Sequence, residues 1–409
     1  MSAAVTWSCR CVSDHGRRSG VSGHVSRGTR RPARPGVVRF HTGIAVQLNR
    51  LDIRDLRNLV DVRLSPGPGL NLLLGDNGAG KSSVLEGLHL LAYGRSFRGR
   101  VRDGLVRSGR PALEVYAEWT EGADAERTRR AGLRHSGQDW DGRLDGVDVQ
   151  QLGVLCAALM VVTFEPGSHA LVSGSSEVRR RFLDWGLFHV EQDFLPQWRR
   201  YARALRQRNA LLKAGAGTRQ LDAWDLELAD AAGPLDRRRE AYLARLQIAV
   251  HAVAAVVAPS LGRPELVFQP GWRRADLSLA DALLVARERD RSAGHTSVGP
   301  HRADWRIRFD ARPEQALLSR GQAKQAALCC LLAQAHDCAD RRGGQWPVMA
   351  LDDLASELDR HHQAQLLEFL HAAGAQVLIT GTERPPHWPD APLASATMFH
   401  VEHGQFHRL

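Results

Sequence analysis

The stretch GDNGAGKS at residues 75–82 decides how the rest of this 409-residue chain is interpreted. It fits the pattern G-x-x-x-x-G-K-[ST] of a phosphate-binding loop. The short apolar run LNLLL (70–74) precedes it, and SSVLEGLHLLAYG (82–94) follows it with apolar residues at helical spacing. A strand, a glycine-rich loop and a helix in this order are the context that such a loop requires, so the sequence predicts a P-loop.

Each part of the predicted P-loop has a chemical role. Its glycines allow consecutive backbone N–H groups to turn inward around phosphate oxygens, and the helix N-terminus adds partial positive charge. We expect the Lys81 ammonium to reach the β- and γ-phosphates of ATP, and the Ser82 hydroxyl to ligate Mg²⁺. The alternative is a glycine-rich turn that matches by accident, and it would not explain the flanking strand and helix. The predicted ATP-binding residues of this loop are Gly75, Asp76, Asn77, Gly78, Ala79, Gly80, Lys81 and Ser82.

A P-loop ATPase also needs acidic residues, and the stretch PVMALDD (347–353) supplies them. We expect Asp352 to hold Mg²⁺ through its water shell and Asp353 to polarise the attacking water as a general base. With Lys81 they form the predicted catalytic set. The alternative is an ordinary strand followed by two turn carboxylates. Since ligands of open α/β sheets bind at the carboxyl ends of strands, the P-loop and this pair must meet at one sheet edge.

A third motif is LSRGQAK at residues 318–324. Ser319 is typical of a helix N-cap, and the following QAALCCLLAQA is strongly helical, so free N–H groups would form a second anion site. An ordinary capped helix is the alternative. Its position before Asp352 favours a signature loop of the ABC type, which closes on the γ-phosphate of the opposite subunit, and SELD (356–359) fits the loop that bridges two such sites. The predicted ATP-binding residues here are Ser319, Arg320, Gly321 and Gln322.

Three features depart from the generic ABC pattern. The segment VLITGTE (377–383) has threonine and glycine where a switch histidine is expected after the last core strand. No glutamine loop is evident, and Glu165 follows the strand ALMVVTF (158–164) in the region where one belongs. The predicted base, Asp353, also has a shorter reach than the glutamate usual in ABC ATPases.

The pattern along the chain predicts an α/β fold with a helical insertion. Strand-like segments occur towards both chain ends, whereas the middle shows mostly helical period. We therefore predict an ABC-type ATPase head from residues 46–172 together with 293–409, and a helical lobe at 173–292. Residues 1–45 have no hydrophobic period, which favours a disordered extension or a start site assigned too early over a transit peptide.

The charge of the chain does not by itself indicate a nucleic-acid partner. The formal net charge is +10, and residues 1–45 supply +7 of it through eight arginines and one acid. A DNA surface must therefore come from local clustering. Arginines on one helix face, with others nearby, form one candidate, and a solvated face is the alternative. A loop forms a second candidate. His301 and Arg302 are open to two interpretations, a structural role beside a tight turn or a DNA contact. The helical candidates are Arg179, Arg180, Arg181, Arg199, Arg200, Arg203 and Arg206, and the loop candidates are Arg95, Arg98, Arg100 and Arg102.

Cysteine usage and hydropathy indicate a cytoplasmic protein. The six cysteines show no C-x-x-C pair and no metal-ligand spacing with histidine, so we expect reduced thiols and no zinc site. The apolar stretch 246–261 is interrupted by His251 and is shorter than the roughly 20 residues that a membrane helix needs. The sequence therefore predicts no membrane partner.

Six segments together resemble the RecF family of bacterial DNA replication and repair proteins. The resemblance runs from about residue 46 to the C-terminus, and transporter ATPases do not share the DWG-FH or VGPHRAD segments. It implies a head like that of SMC and Rad-type repair ATPases, with a helical second lobe and no long coiled coil. The segments are YGRSFRG (93–99), RRRFLDWGLFH (179–189), TSVGPHRADW (296–305), LSRGQAK (318–324), LDDLASELD (351–359) and VLITGTE (377–383).

The resemblance also implies a function. It implies binding of single- and double-stranded DNA at gaps and junctions, an ATP-dependent homodimer, slow hydrolysis, cooperation with RecO and RecR in gap repair, and a requirement in the SOS-type response. An SMC-like chromosome ATPase is one alternative, but long coiled-coil heptads are missing. A non-hydrolysing, ATP-locked DNA clamp is another, and Asp352 and Asp353 argue against it. A small-molecule kinase would not explain the 318–324 motif or SELD.

Overall fold

The computed structural model describes residues 46–98, 104–122, 127–310 and 318–409, so Arg100, Arg102 and the predicted extension at 1–45 lie outside the described residues. The strands are β1 Gln47–Leu56, β2 Leu59–Leu64, β3 Leu70–Leu74, β4 Leu113–Glu121, β5 Arg127–His135, β6 Trp140–Leu144, β7 Val147–Val149, β8 Val161–Phe164, β9 Pro264–Gln269, β10 Asp304–Phe309, β11 Val348–Leu351, β12 Val377–Gly381, β13 Thr397–Glu402 and β14 Gln405–Arg408. The α-helices are α1 Lys81–Tyr93, α2 Leu152–Ala158, α3 Ala170–Ser173, α4 Ser176–Val190, α5 Phe194–Lys213, α6 Thr218–Val257, α7 Leu279–Ala293, α8 Arg320–Arg341, α9 Leu354–Glu357, α10 Arg360–Ala372 and α11 Asp390–Ala394, with short 3-10 turns at Pro166–His169, Pro259–Leu261 and Pro300–Arg302.

A mostly parallel sheet joins the two ends of the described chain. Its strand order is β14-β13-β3-β12-β11-β8, and only β14 runs antiparallel to its neighbour. Strands β11, β12 and β8 are buried along their whole length, as expected for parallel strands covered on both faces. The carboxyl ends of β3, β12, β11 and β8 therefore lie along one edge, which confirms the predicted α/β class.

A second, antiparallel sheet covers helix α1. Its order is β2-β1-β4-β5-β6-β7, and burial alternates along β4, with Val115 and Trp119 inside. Leu85 and Leu88 of α1 share one core with this sheet and with Val161 and Ala350 of the parallel sheet. Helix α1 is thus enclosed between two sheets, which explains why nearly all of its residues are buried.

The other face of the parallel sheet is covered by helices α6, α8 and α10. Val253, Leu332 and Leu366 from these helices pack in one core with Met349 and Ile379 of the sheet. Among the described residues, α6 is long and apolar enough to cross a membrane by length and composition alone. Its apolar C-terminal half instead lies in this core.

Helices α4, α5, α6 and α7 build the lobe predicted from the helical middle of the chain. The structure differs from expectation in two places. Helix α6 continues unbroken through Gly233-Pro234, a pair that usually interrupts a helix, because buried neighbours such as Leu228 and Leu235 hold both halves in the same core. Strand β9 lies in a stretch that we predicted as mostly helical.

Strand β10 does not join either large sheet. It pairs antiparallel with β9, with Trp305 opposite Phe268. Trp305 is buried in the core of the lobe. Residues 304–309 therefore group with the lobe by strand pairing, although we assigned them to the head. The domain boundaries themselves stay predictions.

Gly186 of α4 offers a test of the packing between lobe and head. A Cβ at this position would lie 1.9 Å from the hydroxyl oxygen of Tyr242 and 2.7 Å from the Gln334 amide nitrogen. We expect Gly186→Ala to lower the free energy of unfolding by about 1–3 kcal/mol, since an extra carbon in a filled core causes strain. Chemical denaturation measures this.

Gly153→Ala on α2 is the matched control. The nearest atom to a Cβ there is an Arg199 guanidinium nitrogen at 3.7 Å, an ordinary contact. The control should be neutral or more stable by up to about 1 kcal/mol, because alanine favours helix more than glycine. Equal stability of the two variants would contradict the tight packing at Gly186.

Candidate nucleotide site

The loop between β3 and α1 is shaped by glycines that approach neighbouring atoms too closely to allow a side chain. A Cβ on Gly75 would lie 2.0 Å from the carbonyl oxygen of Val401. Gly80 has a φ of 109°, and a Cβ there would lie 2.7 Å from a Leu59 methyl carbon. The loop is therefore closed around the position where we expect phosphate, and larger residues at these two sites would open it.

Lys81, the first residue of α1, is buried beneath this loop. Its ammonium donates to the carbonyl oxygens of Gly75 at 2.6 Å and Asp76 at 2.8 Å. Burial lowers the pKa of Lys81, while the nearby Asp353 and Asp352 carboxylates oppose that shift. Phosphate oxygens would replace these carbonyl oxygens as acceptors, which fits the predicted contact of Lys81 with the β- and γ-phosphates.

A cavity of about 460 Å³ opens at this edge of the parallel sheet. It brings together residues from the P-loop, the end of β11, the end of β12 and the β1–β2 turn. Five predicted site residues from the P-loop and one predicted acid are therefore neighbours in space, as the topology requires. The lining residues are Arg57, Asn58, Asn77, Gly78, Gly80, Lys81, Ser82, Ser83, Arg98, Asp353, Thr380 and Thr382.

The two acidic residues after β11 differ in environment. Asp352 is buried, with 2% of its surface exposed, and Oδ1 of its carboxylate accepts from the Thr380 hydroxyl at 2.7 Å. Asp353 lines the cavity and has a left-handed backbone, φ 51° and ψ 45°. Its N–H donates to the same Thr380 hydroxyl at 2.8 Å. A left-handed conformation is costly for a residue other than glycine, so this contact holds Asp353 in place.

The residues at the cavity fit a magnesium ion bound together with a nucleotide. Ser82 supplies a hydroxyl, and Asp352 has a second oxygen, Oδ2, with the Arg98 guanidinium at 3.9 Å. Hard oxygen ligands of this kind suit Mg²⁺, which usually keeps waters and takes the remaining ligands from phosphates. The described residues contain no cluster of three or more His, Cys, Asp or Glu that could hold a metal alone.

A buried charge below the cavity was not foreseen from the sequence. The Glu86 carboxylate is fully buried on α1 and accepts from Arg57 through Nε at 2.5 Å and Nη2 at 2.7 Å. The Ser96 hydroxyl also donates to it, and Arg98 approaches within 4.0 Å. This ion pair fixes Arg57 at the cavity wall. The sequence feature that could have predicted this buried charge is Glu86 itself, a glutamate among mostly apolar residues of a helix.

Asn58 supports the P-loop from the side. Its amide donates to the carbonyl oxygen of Gly78 at 2.9 Å, and its Oδ1 accepts from the Ser83 hydroxyl at 3.3 Å. The loop is thereby tied to the antiparallel sheet as well as to the parallel one. Nothing in the spacing of the motif indicated this contact.

The predicted signature residues begin helix α8 and do not line the cavity of their own chain. Ser319 is the N-cap: its hydroxyl accepts from the Gln322 N–H at 3.3 Å, and the Gln322 side chain accepts from the Ser319 N–H at 2.9 Å. Further along α8, the Lys324 ammonium lies 2.7 Å from the Glu357 carboxylate in the SELD segment. The two motifs are therefore joined to each other, and Ser319, Arg320 and Gln322 are exposed or half-exposed.

Glu165, whose role the sequence left open, caps a turn. Its carboxylate accepts from the Gly167 N–H at 2.5 Å and begins the 3-10 turn at Pro166–His169. Burial raises the pKa of Glu165, and the carboxylates of Asp352 and Glu357 add to that shift. The side chain therefore has a structural contact beside the site.

The helical arginines that we listed as DNA candidates fall into two groups. Arg179 pairs with Asp304 at 2.6 Å, Arg180 donates to the Ala303 carbonyl at 2.7 Å, and Arg200 pairs with Glu227 at 2.8 Å. Arg181 pairs with Glu177. Within the described part of the chain, no ion pair within 4 Å engages Arg199, Arg203 or Arg206.

His301 has internal partners that fit a structural role. Its Nδ1 lies 2.7 Å from the Tyr201 hydroxyl, and its Nε2 lies 2.9 Å from the Thr296 carbonyl oxygen. Burial lowers the pKa of His301 to about 4, so the ring is neutral near pH 7. Arg302 also donates to the Thr296 carbonyl, at 3.3 Å.

Comparison with known proteins decides the family. Residues 47–391 match the family model of the RecF/RecN/SMC N terminal domain. The DNA replication and repair protein RecF of Xanthomonas axonopodis pv. citri (strain 306) is 66% identical over 361 residues, which cover 88% of this chain and 98% of that protein. This chain belongs to the RecF family. A second member, RecF of Thioalkalivibrio sulfidiphilus (strain HL-EbGR7), is 40% identical over 360 residues, 87% of this chain and 98% of the relative.

Solved structures agree with this family assignment. The recombination mediator protein RecF of the RecFOR pathway, solved with ATP, matches with a TM-score of 0.79 and 25% identity, covering 91% of this chain and all of that chain. The Smc head of Pyrococcus furiosus matches with a TM-score of 0.53 and 12% identity, covering 89% of this chain and 96% of that one. The second match concerns the fold alone and confirms the predicted ABC/SMC-like head.

We expect Lys81→Ala to weaken ATP binding by at least about tenfold, because a charge-assisted contact to phosphate is lost and backbone N–H groups alone cannot neutralise the charge. Titration with a fluorescent ATP analogue measures this. The control is Lys213→Ala, which removes one of the three lysines from an exposed position at the end of α5. Unchanged affinity in Lys81→Ala would contradict the P-loop assignment.

Proposed function

We propose that this protein binds and slowly hydrolyses ATP, forms an ATP-dependent homodimer on DNA, and acts in recombinational repair and replication in the cytoplasm. Its DNA substrates would be single- and double-stranded segments at gaps and junctions, with RecO and RecR as partners and a contribution to the SOS-type response. The observation that carries the proposal is the cavity that collects the P-loop, Lys81 and Asp353 at one sheet edge.

The chemistry of the cavity supports ATP hydrolysis. Lys81 would neutralise the β- and γ-phosphates, and Mg²⁺, held by Ser82 and Asp352, would stabilise developing charge. Asp353 would orient and polarise the attacking water. The competing function is a DNA clamp that binds ATP without hydrolysing it. That function would not explain the carboxylate of Asp353 in the cavity.

The location of the signature residues supports dimerisation. Ser319 begins a 22-residue helix, and its cap leaves exposed N–H groups at the helix N-terminus, yet it does not line its own cavity. A partner subunit that faces this one would bring that N-terminus to the γ-phosphate. Such a site is complete only in the dimer, which makes dimerisation depend on ATP.

The arginine stripe supports a DNA surface in the lobe. Arg199, Arg203 and Arg206 recur at helical spacing along α5, and Arg203 and Arg206 are exposed. Guanidinium groups in such a row would neutralise phosphates without reading bases. Binding of this kind suits recognition of DNA by structure more than by sequence.

The two anion sites can be separated by mutation. Ser319→Arg should still bind ATP, since its own P-loop is intact, but its ATP-dependent dimerisation should weaken at least about tenfold. Asp353→Asn should bind ATP and form dimers that persist, with hydrolysis reduced by roughly 100-fold or more because a general base is lost. Light scattering with and without ATP and a gapped duplex, together with phosphate release, measures both.

Ser278→Arg is the matched control for Ser319→Arg. Ser278 is also an N-cap, accepting from the Asp281 N–H at 3.2 Å at the start of α7 in the lobe. It should dimerise like the unmodified protein. Normal dimerisation by Ser319→Arg would refute the shared site, and normal hydrolysis by Asp353→Asn would refute the role of that residue.

The DNA surface predicts a change in salt dependence. Replacing Arg199 and Arg203 with Glu should reduce the slope of log K against log[salt] by about 2, since roughly two phosphate contacts are removed. Fluorescence anisotropy with a gapped duplex at several salt concentrations measures the slope. The control reverses Arg219 and Arg237, two exposed arginines of α6. If the slope changed equally in both variants, net charge alone would explain the effect. That result would contradict a DNA surface formed by the arginine stripe.

A further inference from the structure

The Thr380 hydroxyl is shared by the two acids of the site. Thr380 lies on β12, with 1% of its surface exposed, and its oxygen accepts from the Asp353 N–H at 2.8 Å. The same group lies 2.7 Å from Oδ1 of Asp352. A hydroxyl carries one proton, and a carboxylate accepts only, so that proton points to Asp352. One side chain therefore contacts both acids at once.

Each contact has a separate geometric consequence. The bond to Oδ1 fixes the rotation of the Asp352 carboxylate and leaves Oδ2 facing Arg98 at 3.9 Å. The bond from the Asp353 N–H satisfies a backbone donor in a left-handed residue, and that conformation directs the Asp353 side chain to the cavity that it lines. Loss of the hydroxyl would release both groups.

Threonine suits this task better than serine. A β-branched side chain on a strand has a restricted χ1, so its hydroxyl direction is set before any ligand binds. Thr380 is held further by the parallel pairing of β12 with β11 on one side and with β3 on the other, where Thr380 lies opposite Leu73. The sheet and the side-chain rotamer therefore both set the direction of this oxygen.

We propose that Thr380 is a positioning residue that holds the predicted magnesium ligand Asp352 and the predicted base Asp353 in one fixed arrangement. Its hydroxyl acts through these two acids, because it contacts both of them. This inference rests on the proposed function, because it assigns to Thr380 the preorganisation of the Mg²⁺-dependent step. This role would also explain the threonine in the segment 377–383, where ABC ATPases have the switch histidine.

The test compares Thr380→Val, which keeps the shape and removes the hydroxyl, with Thr380→Ser, which keeps the hydroxyl. Thr163→Val is the matched control. Thr163 is a buried threonine on β8, the other neighbour of β11, and its hydroxyl lies 2.9 Å from His89 rather than from either acid. Thermal melting of all variants checks folding, and Thr380→Ala replaces Thr380→Val if valine prevents it.

Two measurements are needed. Binding of a fluorescent ATP analogue is titrated in EDTA and in Mg²⁺, and steady-state hydrolysis gives kcat and KM. We expect Thr380→Val to bind the analogue normally in EDTA, to lose about 10- to 100-fold of the apparent Mg²⁺ affinity, and to lose a similar factor in kcat with little change in KM. Thr380→Ser should recover most of both, and Thr163→Val should resemble the unmodified protein.

The outcomes separate this inference from the proposed function. Unmodified protein that binds Mg²⁺ and ATP without hydrolysis would refute the proposed hydrolysis, and the Mg²⁺ titration would still decide the role of Thr380. Equal Mg²⁺ affinity in Thr380→Val and the unmodified protein would overturn the inference. So would a loss of nucleotide binding of the same size in EDTA and in Mg²⁺, or a failure of Thr380→Ser to recover.

Discussion

The candidate nucleotide site depends on the parallel pairing of strand β12 with β3 on one side and β11 on the other. This pairing aligns Ile379 with both Leu72 and Leu351, residues from opposite ends of the chain. It continues into the site, where the Gly75 N–H donates to the Gly381 carbonyl at 3.3 Å. A shift of one residue would turn every buried side chain of β12 to the opposite face, so the register is strongly specified. The P-loop and the acids are held together by that register.

A buried glutamine connects this arrangement to the second sheet. Gln376, just before β12, accepts from the Leu48 N–H at 2.7 Å and donates to the carbonyl oxygens of Leu48 at 3.0 Å and Gly67 at 2.7 Å. Its amide is fully satisfied in a buried setting, where an unpaired polar group would be costly. The antiparallel sheet, which carries Arg57 and Asn58 to the cavity, is therefore placed relative to the P-loop by specific hydrogen bonds as well as by the core.

Residues of the DWG-FH segment (184–189), on α4, form the contact between α1 and the lobe. Tyr93, at the end of the helix that Lys81 begins, stacks on Trp185 of α4 with ring centroids 5.5 Å apart. The neighbouring Asp184 pairs with Arg239 of α6 at 2.7 Å, and Gly186 admits Tyr242 against the helix. Positions 184, 185 and 186 thus each make a different contact. Asp184 forms a largely buried ion pair, Trp185 stacks on an aromatic ring, and Gly186 leaves room for Tyr242. The helix that begins with Lys81 is therefore packed directly onto the lobe that contains Arg199, Arg203 and Arg206.

The sequence alone determined the parts of the site that follow from local pattern. GDNGAGKS between a strand and a helix indicated the P-loop, PVMALDD indicated the acids, and the capped helix at Ser319 formed as its residues require, because loop conformation, strand burial and capping depend on neighbours in the chain. Only the tertiary structure decided the contacts of Thr380 with Asp352 and Asp353, the buried pair of Glu86 with Arg57, and the partner of β10. These contacts join residues that are far apart in sequence and show no fixed spacing, so they exist only once the sheet register and the enclosed cores bring the side chains together.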